Sequence, residues 1–181
     1  MVKPIVISIA AVSGGGKTTV VKALCNKLEP SKSLYFDDYD FKEYPEDFYQ
    51  WVKSGADYNA WNTEALARDL KCLLKEKHLK YIFLDYPFAY KNDKIAPYID
   101  YSIFIDTPLD IAMARRIIRD MKDESMDLLI SNLKVYMDKG RVAYLEMLNS
   151  IRPNSDLIVD GSTCVEVIVD TIIKHIEVFK M

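Results

Sequence analysis

Several protein classes are excluded by what this sequence lacks. Its 181 residues contain no apolar run approaching the ~20 residues of a membrane span, so no membrane partner is expected. Only three cysteines are present, Cys25, Cys72 and Cys164, too far apart for a disulfide framework. Each lies in a stretch that reads as an apolar helix face, and buried free thiols in a reducing cytosol are expected. A cytoplasmic location agrees with the N-terminus, where Lys3 is followed within about ten residues by a glycine run, too soon for a signal peptide. The two histidines, His78 and His175, lack metal-ligand spacing, and neither a Ser-His-Asp nor a Cys-His arrangement is suggested. An excess of basic charge is missing too. With 24 Lys and Arg against 27 Asp and Glu, a net charge of −3 and a pI near 5.5, the chain is not one that grips nucleic acid through its phosphates. No internal repeat, low-complexity tract or linker divides it, and its length suits one domain.

Glycine is scarce as well, six in all, yet three are consecutive. They follow Ile5-Val6-Ile7-Ser8-Ile9-Ala10, a β-branched run without charge that reads as a strand buried on both faces. After Gly14-Gly15-Gly16 come Lys17-Thr18-Thr19 and then Val20, Val21, Leu24 and Leu28 at helical spacing. Strand, glycine turn and helix in that order make a phosphate-binding loop, because side-chain-free residues let backbone N–H groups converge on an anion at a helix N-terminus. Ser13, Gly14, Gly15, Gly16, Lys17, Thr18 and Thr19 form the candidate nucleotide site. Lys17 would reach the β- and γ-phosphates, and the Thr18 hydroxyl would ligate the bridging Mg²⁺. The usual first glycine of the pattern is Ala11 here, small enough for the strand exit if its φ is negative.

Five apolar runs are strand candidates, at 2–10, 33–36, 81–84, 101–105 and 157–159. Helical patterns lie between them, which implies a parallel sheet covered on both faces. Helices are expected after Pro45, over 63–77, after Thr107 as cap and Pro108 as first residue, and from Ser125 to Ser150 with an interruption at Gly140. A last one runs to Phe179 behind a capping box of Thr163 and Glu166.

In open parallel sheets ligands bind beyond the carboxyl ends of the strands. The glycine loop, Asp37, Asp85 and the 106–107 turn should therefore face one crevice. Asp85, closing an apolar strand, suits a carboxylate that holds Mg²⁺ or its water, or one that caps the next turn. Asp37 and Asp38 end a strand expected beside the first. A carboxylate there could accept the proton of an attacking hydroxyl, or serve an Asx-turn. Arg115 and Arg119, one helical turn apart with Arg116 between, could clamp a transferring phosphoryl group or form a solvated, salt-bridged face. The aromatic and acidic segment from Tyr39 to Trp61, with Asp57, Asn59 and Asn62 in or beside it, suits a stacked base and sugar hydroxyls, or a helical cap that buries its own rings.

Taken together, these stretches resemble the uridine kinase and nicotinamide riboside kinase branch of the P-loop kinases across almost the whole chain. Ser13-Gly14-Gly15-Gly16-Lys17-Thr18-Thr19 is similar to that family's Ser-Gly-Ser-Gly-Lys-Thr-Thr loop. Phe36-Asp37-Asp38-Tyr39 resembles its Asp-Asp-Phe-Phe or Asp-Ser-Phe-Tyr element, whose first aspartate is the catalytic base. Leu84-Asp85-Tyr86 stands where the family has Glu-Gly. Ile105-Asp106-Thr107-Pro108 with Arg115-Arg116-Ile117-Ile118-Arg119-Asp120 is close to its Asp-Thr strand end and arginine-bearing lid, and the 154–159 strand to its Ala-Asp-x-Ile-Ile-x segment. Two stretches depart. Lys122-Asp123-Glu124-Ser125 replaces a basic Arg-Gly-Arg, and the pyrimidine-reading hairpin has no counterpart between Trp61 and Tyr81.

The resemblance implies a three-layer α/β P-loop NTPase fold with a five-stranded parallel sheet. Residues 1–181 would form a single kinase domain, with a lid at about 115–125 and an acceptor-side segment at about 38–62. The implied activity is transfer of the γ-phosphoryl group of Mg-ATP to a hydroxyl of a nucleoside or nucleoside-like acceptor. Asp37, Lys17, Arg115, Arg116 and Arg119 would be catalytic, Thr18 and Asp85 would hold the metal, and Asp37, Tyr39, Asp57 and Asn62 would meet the acceptor. ATP, Mg²⁺ and a small-molecule acceptor are the expected partners, and a homo-oligomer is compatible with the sequence. Other readings are a kinase for a nucleoside monophosphate, a sugar acid or adenylylsulfate, and a regulator that binds ATP without transferring phosphate.

Overall fold

A computed structural model describes residues 3–179. The chain runs β1 (Ile5–Ala10), α1 (Lys17–Lys27), β2 (Ser31–Tyr35), α2 (Phe48–Lys53), α3 (Glu64–Leu73), β3 (Tyr81–Asp85), β4 (Tyr101–Asp106), α4 (Leu109–Asp120), α5 (Met126–Val135), α6 (Arg141–Glu146), β5 (Leu157–Asp160) and α7 (Val165–Phe179). Val2, expected to open the first strand, lies outside the described residues. All strand pairs are parallel, in the order β2-β3-β1-β4-β5. The chain leaves β1 toward one edge and later returns to build the other. This topological switch at the carboxyl end of β1 is where such sheets bind ligands.

Alternation along β1 sends its side chains into two cores. Val6 and Ala10 join Ile82, Leu84 and Phe104 beneath Leu66 and Leu70 of α3, with Ile95 and Ile151. Ile7 and Ile9 join Phe83, Ile103 and Ile105 beneath Val20, Val21 and Leu24 of α1 and Ile168, Val169, Ile172 and Ile176 of α7. Each of these large side chains contributes roughly 1.5–3 kcal/mol by burial, so the three-layer α/β arrangement follows from the charge-free strands.

Several expectations are corrected. β2 lies beside β3 at the sheet edge rather than beside β1, and Phe36 opens a short 3₁₀ turn, 36–38, instead of continuing the strand. The helix expected over 63–77 ends at Leu73, after which Lys75 and Glu76 donate to the carbonyls of Cys72 and Leu73 in tighter turns. Pro45 precedes α2 without opening it; the side chain of Asp47 caps that helix by accepting from the Gln50 amide. Beyond Ser125, which caps α5, helical backbone continues through Gly140, with wider π turns at 136–140 and 147–151. Pro108 is the cap of α4, and the Thr107 hydroxyl instead donates to the Gly15 carbonyl. Thr163 likewise donates its hydroxyl to the Asp160 carbonyl, and α7 begins at Val165. The cysteines are free but not buried: Cys25 is half-buried, Cys72 and Cys164 exposed.

Ala11 takes the loop's first position without a positive φ, since Ala56 and Ala89 are the non-glycine residues that have one among those described. Gly14 has φ +78°, and a Cβ there would lie 2.1 Å from the Ala112 carbonyl oxygen of α4. Gly14→Ala is therefore expected to lower stability by about 2 kcal/mol or more, combining left-handed strain with a backbone clash. Gly140, at φ −67° with nothing nearer than 3.7 Å to an added Cβ, provides the contrast. There alanine should raise stability by about 0.5–1 kcal/mol. Urea midpoints for the two variants, at unchanged denaturant slope, check both signs.

Candidate active site

The loop between β1 and α1 turns under α4. Gly16, at φ +98°, is the cap of α1, so the amides of the first helical turn face outward beside Lys17 and Thr18. Ser13 sits on the loop, and Thr19 on the exposed first turn. Thr107, fully buried, braces the loop from below through Gly15.

Asp85 ends β3, adjacent to β1, with Ile9 as its register partner. Its carboxylate accepts the Thr18 hydroxyl at 2.5 Å and lies 3.9 Å from the Lys17 ammonium. Burial pushes the Asp85 carboxyl above the usual carboxylate range; Lys17 and the Thr18 hydrogen bond pull it back, while Asp37 and Asp38 push it further up. Two hard oxygens side by side, one carboxylate and one hydroxyl, are a donor set that fits Mg²⁺, an ion that takes few protein ligands beside phosphate and water.

Edge strand β2 is separated from β1 by β3, yet the 3₁₀ turn after it brings Asp37 to the same place. Thr18, Lys22, Tyr35, Asp37, Asp38 and Asp85 line one cleft of about 250 Å³. Lys22 was not anticipated. Its signal was present, because position 22 is one helical turn beyond Thr18 and shares its face.

The three arginines of α4 divide. Arg115 lies against the loop, with Nη1 donating to the Gly161 carbonyl at 3.4 Å and 4.0 Å from where a Gly16 Cβ would sit. Arg119 donates to both Asp120 oxygens, at 2.5 and 3.0 Å; Asp120 raises its pKa, and the field of Asp37 adds to this. Arg116 is turned away, donating to the Tyr144 hydroxyl at 3.1 Å, with Asp120 at 3.6 Å.

Tyr39, Asp57 and Asn62 are not among the cleft residues. The Tyr39 hydroxyl donates to Asp69, Asp57 accepts from the Asn59 amide, and Asn62 accepts from Lys94. The rings of Trp51, Tyr58 and Trp61 pack on one another: Trp51 crosses Tyr58 and Trp61 edge-on, and both Tyr58 and Trp61 meet Phe88. Buried Asn92 fixes this unit by donating to the carbonyls of Tyr58 and Trp61 and accepting the Thr63 hydroxyl. Here the self-burying cap, not an open stacking surface, is what the segment forms.

A glycine loop, the buried Asp85 bonded to the exposed Thr18 and a second aspartate lining the same cleft stand together at the carboxyl end of the sheet. The family model described as Phosphoribulokinase / Uridine kinase family matches residues 76–167, more than half of the chain. The chain belongs to that family. It is a small-molecule kinase, a phosphotransferase with an alcohol acceptor and ATP as phosphoryl donor. A uridine kinase of Ligilactobacillus salivarius is 26% identical over 199 residues, covering 96% of this chain and 93% of that one. Among solved structures, a possible uridine kinase from Bacillus stearothermophilus superposes with a TM-score of 0.56 at 16% identity, covering 88% of this kinase and 90% of that chain. The shikimate kinase of Aquifex aeolicus does so with 0.51 at 17%, covering 96% of each. Both share the fold. Among the described residues, no helix of this kinase is long and apolar enough to cross a membrane.

Asp85 offers a test that separates function from stability. An acid whose folded pKa is raised binds more protons folded than unfolded, so its ionisation erodes stability as pH climbs through and above the ordinary carboxylate range. Asp85→Asn keeps the shape and an acceptor for Thr18 but cannot ionise. Thermal unfolding of the nucleotide-free variant at pH 7 should therefore match or exceed wild type, with the difference shrinking toward pH 4. Its Mg²⁺ requirement for turnover should rise about 10–100-fold. A lowered melting temperature with an unchanged Mg²⁺ requirement would make Asp85 a structural cap.

Proposed function

We propose that this kinase transfers the γ-phosphoryl group of Mg-ATP to a hydroxyl of a nucleoside or nucleoside-like acceptor. The observation that carries the reading is that Asp37 lines the same cleft as Thr18 and Asp85. A hydroxyl entering there meets a carboxylate on one side and the phosphate loop on the other. The loop amides and Lys17 would hold the β- and γ-phosphates, and Thr18 with Asp85 would hold a Mg²⁺, which would supply positive charge to the phosphates. Asp37 takes the proton of the attacking hydroxyl as its oxygen bonds to the γ-phosphorus and the bond to the ADP oxygen breaks. Arg115 and Arg119 stand on the helix that borders the loop, placed to balance the charge in transit; Arg116, held by Tyr144 and Asp120, supports that helix. Relatives named uridine kinase support the nucleoside class, and a cytoplasmic setting suits an ATP-consuming enzyme.

The test is ADP release, followed with a coupled assay over nucleosides, nucleoside monophosphates and sugar acids. The reading expects turnover highest with a nucleoside. Turnover confined to an acid or a monophosphate would replace the acceptor class. ATP binding without transfer to any acceptor would leave a nucleotide-binding regulator.

A further inference from the structure

Three successive peptide planes of the glycine loop are each held by a hydrogen bond. The Gly15 amide donates to the Val12 carbonyl at 2.8 Å and the Val20 amide to the Gly16 carbonyl at 3.0 Å; between them the Gly15 carbonyl accepts the Thr107 hydroxyl at 2.9 Å. The Thr107 bond alone comes from outside the loop and its helix. Thr107 directly follows β4 and is 1% exposed, and Gly161, in the turn after β5, fixes its pose. The Gly161 amide donates to the Asp106 carbonyl at 3.1 Å, and a Cβ on Gly161 would lie 2.0 Å from the Thr107 hydroxyl oxygen and 2.9 Å from the Thr107 Cα. So close an approach leaves no room for any side chain at 161.

The middle plane is the one that matters, because a trans peptide points its N–H opposite to its C=O. With the Gly15 carbonyl drawn onto buried Thr107, the Gly16 amide is turned away from the interior. That amide donates to no acceptor among the described residues. Rotation of the plane would change ψ of Gly15 and φ of Gly16, and neither residue has a Cβ to resist it. The loop's own sequence thus leaves this plane loose, and a side chain from another strand end holds it. We infer that Thr107 is a positioning residue, which fixes the Gly15–Gly16 plane so that the Gly16 amide donates to the nucleotide's phosphates, while Gly161 keeps the Thr107 hydroxyl in place. The inference rests on the phosphate-binding role proposed above for the loop amides.

The experiment titrates Mg-ADP and, separately, magnesium tripolyphosphate into the full chain by calorimetry, for wild type, Thr107→Val, Thr107→Ser and Gly161→Ala, with urea midpoints alongside. Thr107→Val keeps the shape but removes the donor, and its Kd for both ligands should rise about 10-fold or more. Thr107→Ser, which keeps the hydroxyl, should stay within about 3-fold of wild type. Gly161→Ala displaces the hydroxyl without removing it and should share the loss. A destabilised Thr107→Val that binds both ligands as wild type does would leave Thr107 a packing residue and overturn the inference. So would a loss for Mg-ADP that tripolyphosphate does not share, since the effect would then lie at the base. Should Thr107→Val fail to fold, Gly161→Ala decides: weaker binding of both ligands supports the inference, and wild-type affinity overturns it. If wild type binds neither ligand, the phosphate role of the loop falls and this inference with it; wild-type binding with every variant equal removes this inference alone.

Discussion

Lys17→Ala is expected to lower kcat/KM for ATP by about 10³-fold while the protein still unfolds cooperatively. Phosphoryl transfer leaves a protein little covalent chemistry to perform, so loss of a positioned charge falls directly on the rate. Lys17 is the first residue of α1, and its side chain, 16% exposed, is held 3.9 Å from Asp85. Without it the buried Asp85 keeps the Thr18 hydroxyl but loses its cation. That raises the Asp85 pKa further, so the variant should melt somewhat below wild type at pH 8 and approach it as Asp85 protonates on acidification. Lys17→Met, which keeps the stem, should show the same kinetic loss. Steady-state ADP release and unfolding at two pH values check both. Activity within tenfold of wild type would remove Lys17 from the phosphate site.

Residues with one dominant physical demand were legible. Ile7, Ile9, Phe83, Ile103 and Ile105 are fully buried, and nothing but a central strand accommodates charge-free β-branched runs of that length. The loop was equally plain, since Gly14 and Gly16 both occupy left-handed backbone next to Lys17. Strand order was not, because it is set by non-local pairing. Yet Ser31, Lys32 and Ser33 gave a hint: a half-polar strand with no fully buried residue belongs at an edge. The cysteines misled through a shortcut. Cys72 lies two residues beyond buried Leu70, about 200° around the helix, and so faces solvent. Thr107 and Thr163 were read as caps because a hydroxyl can cap, but each found a carbonyl across a turn instead. In the acceptor segment the composition fitted open and closed rings alike. Phe88 and Asn92, about thirty residues further on, closed it, and no local pattern announces a partner at that distance.

Asp37→Asn should reduce kcat by about 10²–10⁴-fold, with KM values for ATP and acceptor changed little. Asparagine preserves size and hydrogen bonding but cannot take a proton. Position 37 is exposed on a short 3₁₀ turn, so the fold should not register the change. Acceptor acidity supplies an independent signature. When no base assists, the hydroxyl must part with its proton unaided, so the variant's kcat should depend more steeply on the acceptor's own acidity than wild type's does. A fluorinated acceptor, with a more acidic alcohol, should therefore recover part of the lost rate in Asp37→Asn and gain little in wild type. Equal dependence on acidity in the two proteins would mean that Asp37 positions the acceptor without receiving its proton.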